Sequence, residues 1–198
     1  KVDAISKAGE ILEIVGISPD AMGRFPHQFS GGQRQRICIA RAVVMEPKLI
    51  VADEAVSALD VSVQKQVLDL FLDIRKRFGM AMLFITHDLR VAAQVCDRVV
   101  VMQHGKVVEQ GKTTDVYNNP QHPYTRSLIE TAPQIFRKNK KKTLLKGDIP
   151  SPINPPSGCV FRTRCPNPGK DCKGGNIEMG LVEIEPGHWV DQCCVHFN

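Results

Sequence analysis

Apolar residues recur at helical spacing from the first positions of the sequence, where Ile5, Ala8, Leu12 and Val15 share one face and predict a helix. A second helical pattern, Ile37, Ile39, Ala40, Val43 and Val44, follows directly on the polar stretch Phe-Ser-Gly-Gly-Gln-Arg-Gln-Arg at 29 to 36. The run Leu-Ile-Val-Ala at 49 to 52 is apolar on both faces, which predicts a central parallel strand. Ala81 to Ile85 reads as a second apolar strand, and a helix ending near Arg77 separates the two. Alternation in Arg98 to Gln103 and Lys106 to Gln110 predicts a hairpin in which Gly105 of the His104-Gly105 turn takes a positive φ. Thr113 to Asn118 and Tyr124 to Thr131 read as short helices. The alternation of helix and strand predicts an α/β fold.

Composition changes the picture after Pro133. The stretch to Ser157 is first basic and then carries Pro150, Pro152, Pro155 and Pro156, which forbid a helix and mark a linker. Beyond it, five of the seven cysteines fall between Cys159 and Cys194, so a separate Cys-rich module is expected. The divisions are then 1–29, a helical end and loop; 30–132, an α/β core; 133–157, the linker; and 158–198, the module. At 42% hydrophobic and 24% charged the chain is of ordinary globular composition. Its longest apolar runs, such as Val99 to Met102, fall far short of the roughly 20 residues of a membrane-spanning helix. Much of the net charge of +5 sits in Arg137 to Lys142, a solvated charge run. With one Trp and two Tyr there is no basic stripe interleaved with aromatics, which argues against a nucleic-acid partner.

Three places carry candidate chemistry. Ser30 is a natural N-cap, Gly31 and Gly32 admit close backbone approach, and the free N–H groups of the following helical turn make an anion site. Asp53 and Glu54 end the first apolar strand, where ligands bind in open α/β sheets. Thr-His-Asp at 86 to 88 ends the second, placing His87 at the same edge. An isolated acid pair or histidine of this kind is usually a helix cap; the ordered combination, with Ser-Ala-Leu-Asp at 57 to 60 between, is not.

That order resembles the ATP-binding subunits of ABC transporters, and more narrowly those of oligopeptide and dipeptide importers. Phe-Ser-Gly-Gly-Gln at 29 to 33 is similar to the family's signature, with Phe29 where most members have Leu, and His-Pro-Tyr-Thr at 122 to 125 is similar to the tail motif of the peptide branch. Ala55 departs from the family's usual Pro. The resemblance implies an ABC-type RecA-like fold with a fragment of the helical subdomain, and ATP with Mg2+ as ligands. Asp53 would hold magnesium, Glu54 would polarise the attacking water, His87 would contact the γ-phosphate and steady Glu54, and Asp60 would link the two halves of a dimer. Ser30, Gly31, Gly32 and Gln33 would close over ATP held by a second ATPase subunit, identical or not. Two membrane permease subunits and an extracellular or periplasmic solute-binding protein complete the implied assembly, with this subunit peripheral on the cytoplasmic face of the membrane.

No Gly-x-x-x-x-Gly-Lys-Ser/Thr occurs in the sequence, and no glutamine loop is recognisable before the signature. The chain therefore resembles the C-terminal portion of a longer subunit, expected to be inactive by itself. Other classes keep a place: a nickel or metallophore importer of the same branch, a non-transport ABC ATPase, and a metal-binding interaction module.

Cys38 and Cys96 read as small core residues. The tail spacing C-x5-C-x6-C-x20-C is not that of common zinc ribbons. By resemblance, Gly158-Cys159, Arg164-Cys165-Pro166 and Cys172 match an iron–sulfur ligand set of the importer branch. Cys193 is the assigned fourth ligand and Cys194 its competitor, because the family has one residue between Val190 and the cysteine where this chain has two. Four thiolates hold either a [4Fe-4S] cluster, the preferred assignment, or zinc.

Overall fold

The computed structural model describes residues 2–132, 147–151, 153–175 and 179–197. Most of the expected linker, including the basic run at 137–142, lies outside the described residues. The chain forms two compact units, Lys1–His87 and Asp88–Asn198.

In the first unit, α1 (Val2–Ile14) leads through two short 3-10 turns, Pro19–Gly23 and Pro26–Gln28, into α2 (Gly31–Val43). The buried face of the α1 region is Ile11, Val15 and Ile17, while Ile5 of the predicted stripe is 61% exposed. Strand β1 (Leu49–Asp53) pairs in parallel with β2 (Ala81–Ile85), in register from Leu49 opposite Ala81 to Asp53 opposite Ile85. Between them runs α3 (Val61–Phe78), which buries Val67, Leu68, Leu70, Phe71 and Ile74 and ends at Gly79 in the left-handed region. Each such side chain contributes about 1.5–3 kcal/mol by leaving water. Phe71 meets Phe84 of β2 edge-on, so α3 covers the face that holds Ile50 and Ala52. The opposite face of the pair exposes Leu49, Val51, Leu83 and Ile85. The both-sided apolar pattern of β1 is thus only half used by the described residues.

In the second unit, α4 (Leu89–Val95) precedes the hairpin β3 (Arg98–Gln103) and β4 (Lys106–Lys112), followed by α5 (Thr113–Asn118) and α6 (Pro123–Thr131). Both turn residues have positive φ, His104 at 47° and Gly105 at 77°, the pattern of a two-residue hairpin turn that matches strand twist. After the short α7 (Lys170–Gly174) come β5 (Leu181–Glu185) and β6 (His188–Asp191), which the sequence pattern did not announce. Sheet order is β3-β4-β6-β5, all antiparallel, with Glu109 opposite Val190. The tail strands and the hairpin therefore share one sheet.

Cys38 is exposed, a correction to its expected core place: on α2 the buried positions are Ile39, Ala40 and Val43, and Cys38 falls off that face. Cys96 is half-buried.

Candidate functional site

Two sites emerge, one in each unit. The first lies at the C-terminal edge of β1 and β2. Glu54 follows β1 with φ of 45°, a region that costs a non-glycine residue about 1 kcal/mol or more and that clusters at functional sites. Its backbone is fastened on both sides: Glu54 N–H donates to the Ile85 carbonyl at 2.9 Å, and the Ser57 hydroxyl donates to the Glu54 carbonyl at 3.0 Å. So held, the carboxylate reaches His87, whose Nδ1 lies 3.0 Å from Glu54 Oε1. Both side chains face solvent, at 55% for Glu54 and 74% for His87. Asp53, the last residue of β1, is exposed beside them and supplies a hard oxygen donor of the kind magnesium takes.

Ser30 and Gln33 form a reciprocal capping box on α2. Gln33 N–H donates to Ser30 Oγ at 3.3 Å, and Ser30 N–H donates to Gln33 Oε1 at 3.0 Å. The side chain of Gln33 is thereby turned back on its own helix. Asp60 caps α3 as a simple N-cap, accepting from Ser62 N–H at 3.1 Å, Val63 N–H at 3.0 Å and the Ser62 hydroxyl at 2.7 Å. The Val63 and Ser62 donors hold its carboxyl below the usual range. Gly32 explains why a glycine stands at the second helical position: a Cβ there would come 2.8 Å from Val63 Cγ1, so the first turns of α2 and α3 pack side by side. Gly31 has nothing within 4 Å of its would-be Cβ and leaves its backbone open. Glu54 and His87 are brought together; among the described residues no hydrogen bond or ion pair joins them to Ser30, Gln33 or Asp60.

The second site is a cavity in the other unit, lined among others by His122 and by Cys159, Cys165, Cys172, Cys193 and Cys194. Cys159, Cys172 and Cys193 are buried with Phe161, and Cys165, Cys194 and Tyr124 pack against them. None is in a disulfide. Cys193 Sγ and Cys194 Sγ are 3.5 Å apart, a contact well beyond the roughly 2.05 Å of a covalent bridge. The Cys159 thiol is pushed up by its hydrogen bond with Cys193 and by burial. For Cys193 the bond to Cys159 works downward but is outweighed by the bond to Cys194 and by burial. Burial also raises Cys165. Five soft sulfur donors around one cavity fit iron–sulfur or zinc and do not fit magnesium or calcium.

Sequence reasoning gave His122 no role of its own and passed over Glu109. A ring nitrogen of His122 and the sulfurs of Cys159 and Cys193 all lie within 4.8 Å of one another. Behind His122 stands Glu109, wholly buried on β4, whose carboxylate accepts from Gln121 N–H at 2.8 Å and His122 N–H at 2.9 Å and is 2.8 Å from His188 Nε2. The only advance sign was an acid following Val107 and Val108, a pattern that reads equally as an outward-facing strand position.

Residues 2–57 match the family profile described as ABC transporter, and residues 108–172 match that of the oligopeptide/dipeptide transporter C-terminal region. A Brucella ovis protein named for peptide import and ATP binding is 49% identical over 199 residues, covering 100% of this chain and 62% of that protein. The oligopeptide transport ATP-binding protein OppF of Escherichia coli is 55% identical over 161 residues, 80% of this chain and 48% of OppF. The chain thus spans between about half and two thirds of the length of these relatives. Among solved structures, the ADP conformation of MJ1267, an ATP-binding cassette of an ABC transporter, superimposes with a TM-score of 0.56 at 26% identity, covering 63% of this chain and 50% of that one. The chain has the α/β ABC ATPase fold.

Proposed function

The chain belongs to the ATP-binding proteins of the ABC transporter family, in the oligopeptide/dipeptide branch, and we propose on that premise that it carries the signature and hydrolytic motifs of a peptide importer's ATPase. The observation that carries this is the Glu54–His87 contact of 3.0 Å at the open end of two parallel strands. Glu54 serves as the base that polarises water, and His87 fixes the direction of its carboxylate. Asp53 supplies an oxygen ligand to magnesium, which neutralises phosphate charge when bound. The N–H groups at the start of α2, backed by the helix dipole, meet the γ-phosphate of ATP held by a second ATP-binding subunit. Asp60, at the head of the adjoining helix, stands at that same subunit contact. ATP closes the pair, hydrolysis releases it, and two permease subunits convert the cycle into uptake of oligopeptides or dipeptides delivered by a solute-binding protein. The place proposed for the subunit is peripheral, on the cytoplasmic face of the membrane. None of the described helices is long and apolar enough to cross a membrane.

The test uses the chain completed with the portion that the longer relatives carry beyond the matched region. Glu54→Gln keeps the shape of the site but accepts no proton, so magnesium-dependent turnover should fall by about 10²-fold or more while nucleotide stays bound and the closed dimer persists. Turnover near the wild-type rate would remove Glu54 from the role of base. Residues 1–198 contain no Gly-x-x-x-x-Gly-Lys-Ser/Thr and by themselves should give no measurable hydrolysis.

For the thiol cavity the proposal is a [4Fe-4S] cluster held by Cys159, Cys165, Cys172 and Cys193. When bound, such a cluster supplies one-electron chemistry and cross-links the tail. Cys193 is preferred to Cys194 because it is buried and shares its contact with Cys159. Anaerobically purified protein should be brown, and Ser at any of the four positions, but not at Cys194, should bleach it. Colourless protein with stoichiometric zinc would replace the cluster by zinc.

A further inference from the structure

His122 is held in three ways that together leave one atom without a partner. Its backbone N–H donates to Glu109, and its ring leans on Phe161 with centroids 5.8 Å apart. Its Nδ1 accepts from Tyr124 N–H at 3.1 Å, capping α6. An Nδ1 that accepts carries no hydrogen, so in the neutral ring the hydrogen is on Nε2. Nε2 is fully buried and has no hydrogen-bond partner among the described residues, although the residue lines the thiol cavity and a ring nitrogen lies within 4.8 Å of the Cys159 and Cys193 sulfurs. A buried N–H is rarely left without an acceptor, and the Cys159 and Cys193 sulfurs lie close to this ring across the cavity.

We propose that His122 is a positioning residue for the group in the thiol cavity: its Nε2–H donates to the Cys159 sulfur once that sulfur is a ligand, and so raises the reduction potential of the cluster. The inference rests on the cluster assignment above. The reduced cluster carries one more negative charge than the oxidised one, so a donor to its ligand stabilises the reduced form more. The electron comes from dithionite in the assay below, and no ligand bond forms or breaks.

Two substitutions divide the roles of the ring. His122→Asn keeps an acceptor where Nδ1 caps the helix but cannot extend a donor to the cavity, whereas His122→Gln extends an amide N–H to about the Nε2 position. The full chain and both variants are purified anaerobically, analysed for iron and acid-labile sulfide, and titrated with dithionite by electron paramagnetic resonance. The expected result is iron in the wild type and His122→Gln, a lowered potential in His122→Asn, and a potential near wild type in His122→Gln. Iron lost from the Asn variant but kept by Gln at the wild-type potential also supports the donor. Equal potentials in wild type and His122→Asn, an equal lowering in both variants, or iron lost from both would overturn it while leaving the cluster in place. A wild-type chain without iron or sulfide would remove the cluster assignment and this inference together.

Discussion

The two sites are built on opposite plans. At the edge of β1 and β2, Glu54 and His87 stand more than half exposed, Glu54 fastened through its backbone and its carboxylate hydrogen-bonded to His87. In the second unit the chemistry is enclosed: Glu109, His122 and His188 are at most 1% exposed, and three cysteines are buried beside them. An open site suits groups that, in the proposed function, a nucleotide and another subunit would complete. A closed one supplies its own hydrogen-bond partners, and its integrity becomes part of the unit's stability.

The same chemical change should therefore have very different effects in the two places. Glu109→Gln puts an amide N–H₂ where the carboxylate now meets Gln121 N–H, His122 N–H and His188, leaving at least one buried donor without an acceptor. The expected loss is about 2–3 kcal/mol, read as a lower urea midpoint of Trp189 fluorescence; Trp189 is the only tryptophan and lies on β6 next to Val190. Glu54→Gln should shift stability by no more than about 0.5 kcal/mol, since water already solvates its side chain. Equal losses at the two positions would end the contrast between an open and a closed site.

How far each site was visible in the sequence follows from the range of its contacts. The open site is made of local devices: a Ser-Gly-Gly helix start, an acid pair closing a strand, a histidine closing the next. Motif order and strand boundaries alone placed Glu54 and His87 at one edge, and α2, β2, the hairpin and α5 were found close to where they stand. The closed site depends on pairing across about eighty residues, Glu109 with His188 and β4 with β6, which no local period announces. Strands β5 and β6 escaped notice because they are short and turn at Pro186-Gly187, where Gly187 takes φ of 78°. The thiols were picked out by resemblance to the importer branch, but the histidine among them was given no role.

Within the open site, the paired glycines give a sharper test. Gly32→Ala drives a Cβ to 2.8 Å from Val63 Cγ1, a stiff β-branched side chain on α3, so strain should exceed the gain in helix propensity. Gly31→Ala meets nothing within 4 Å and keeps that gain. Gly32→Ala should lie about 1–2 kcal/mol below Gly31→Ala in urea unfolding followed by far-ultraviolet circular dichroism. The reverse order would mean that α2 and α3 do not pack through Gly32.

The smallest effect separates two duties of one hydroxyl. Ser30 Oγ caps α2 by accepting from Gln33 N–H, and the same helix start is proposed to face a phosphate. Ser30→Ala removes the acceptor and should cost about 1 kcal/mol of stability. Ser30→Asp caps as well as serine and adds a negative charge favoured by the helix dipole, so stability should return to within a few tenths of a kcal/mol of wild type. In the completed protein the same aspartate sets its charge against the γ-phosphate, so ATP-driven dimer closure should weaken although the helix is intact. An aspartate variant as unstable as the alanine would refute the cap. One that is stable and still closes on ATP at the wild-type concentration would show that no phosphate approaches this turn.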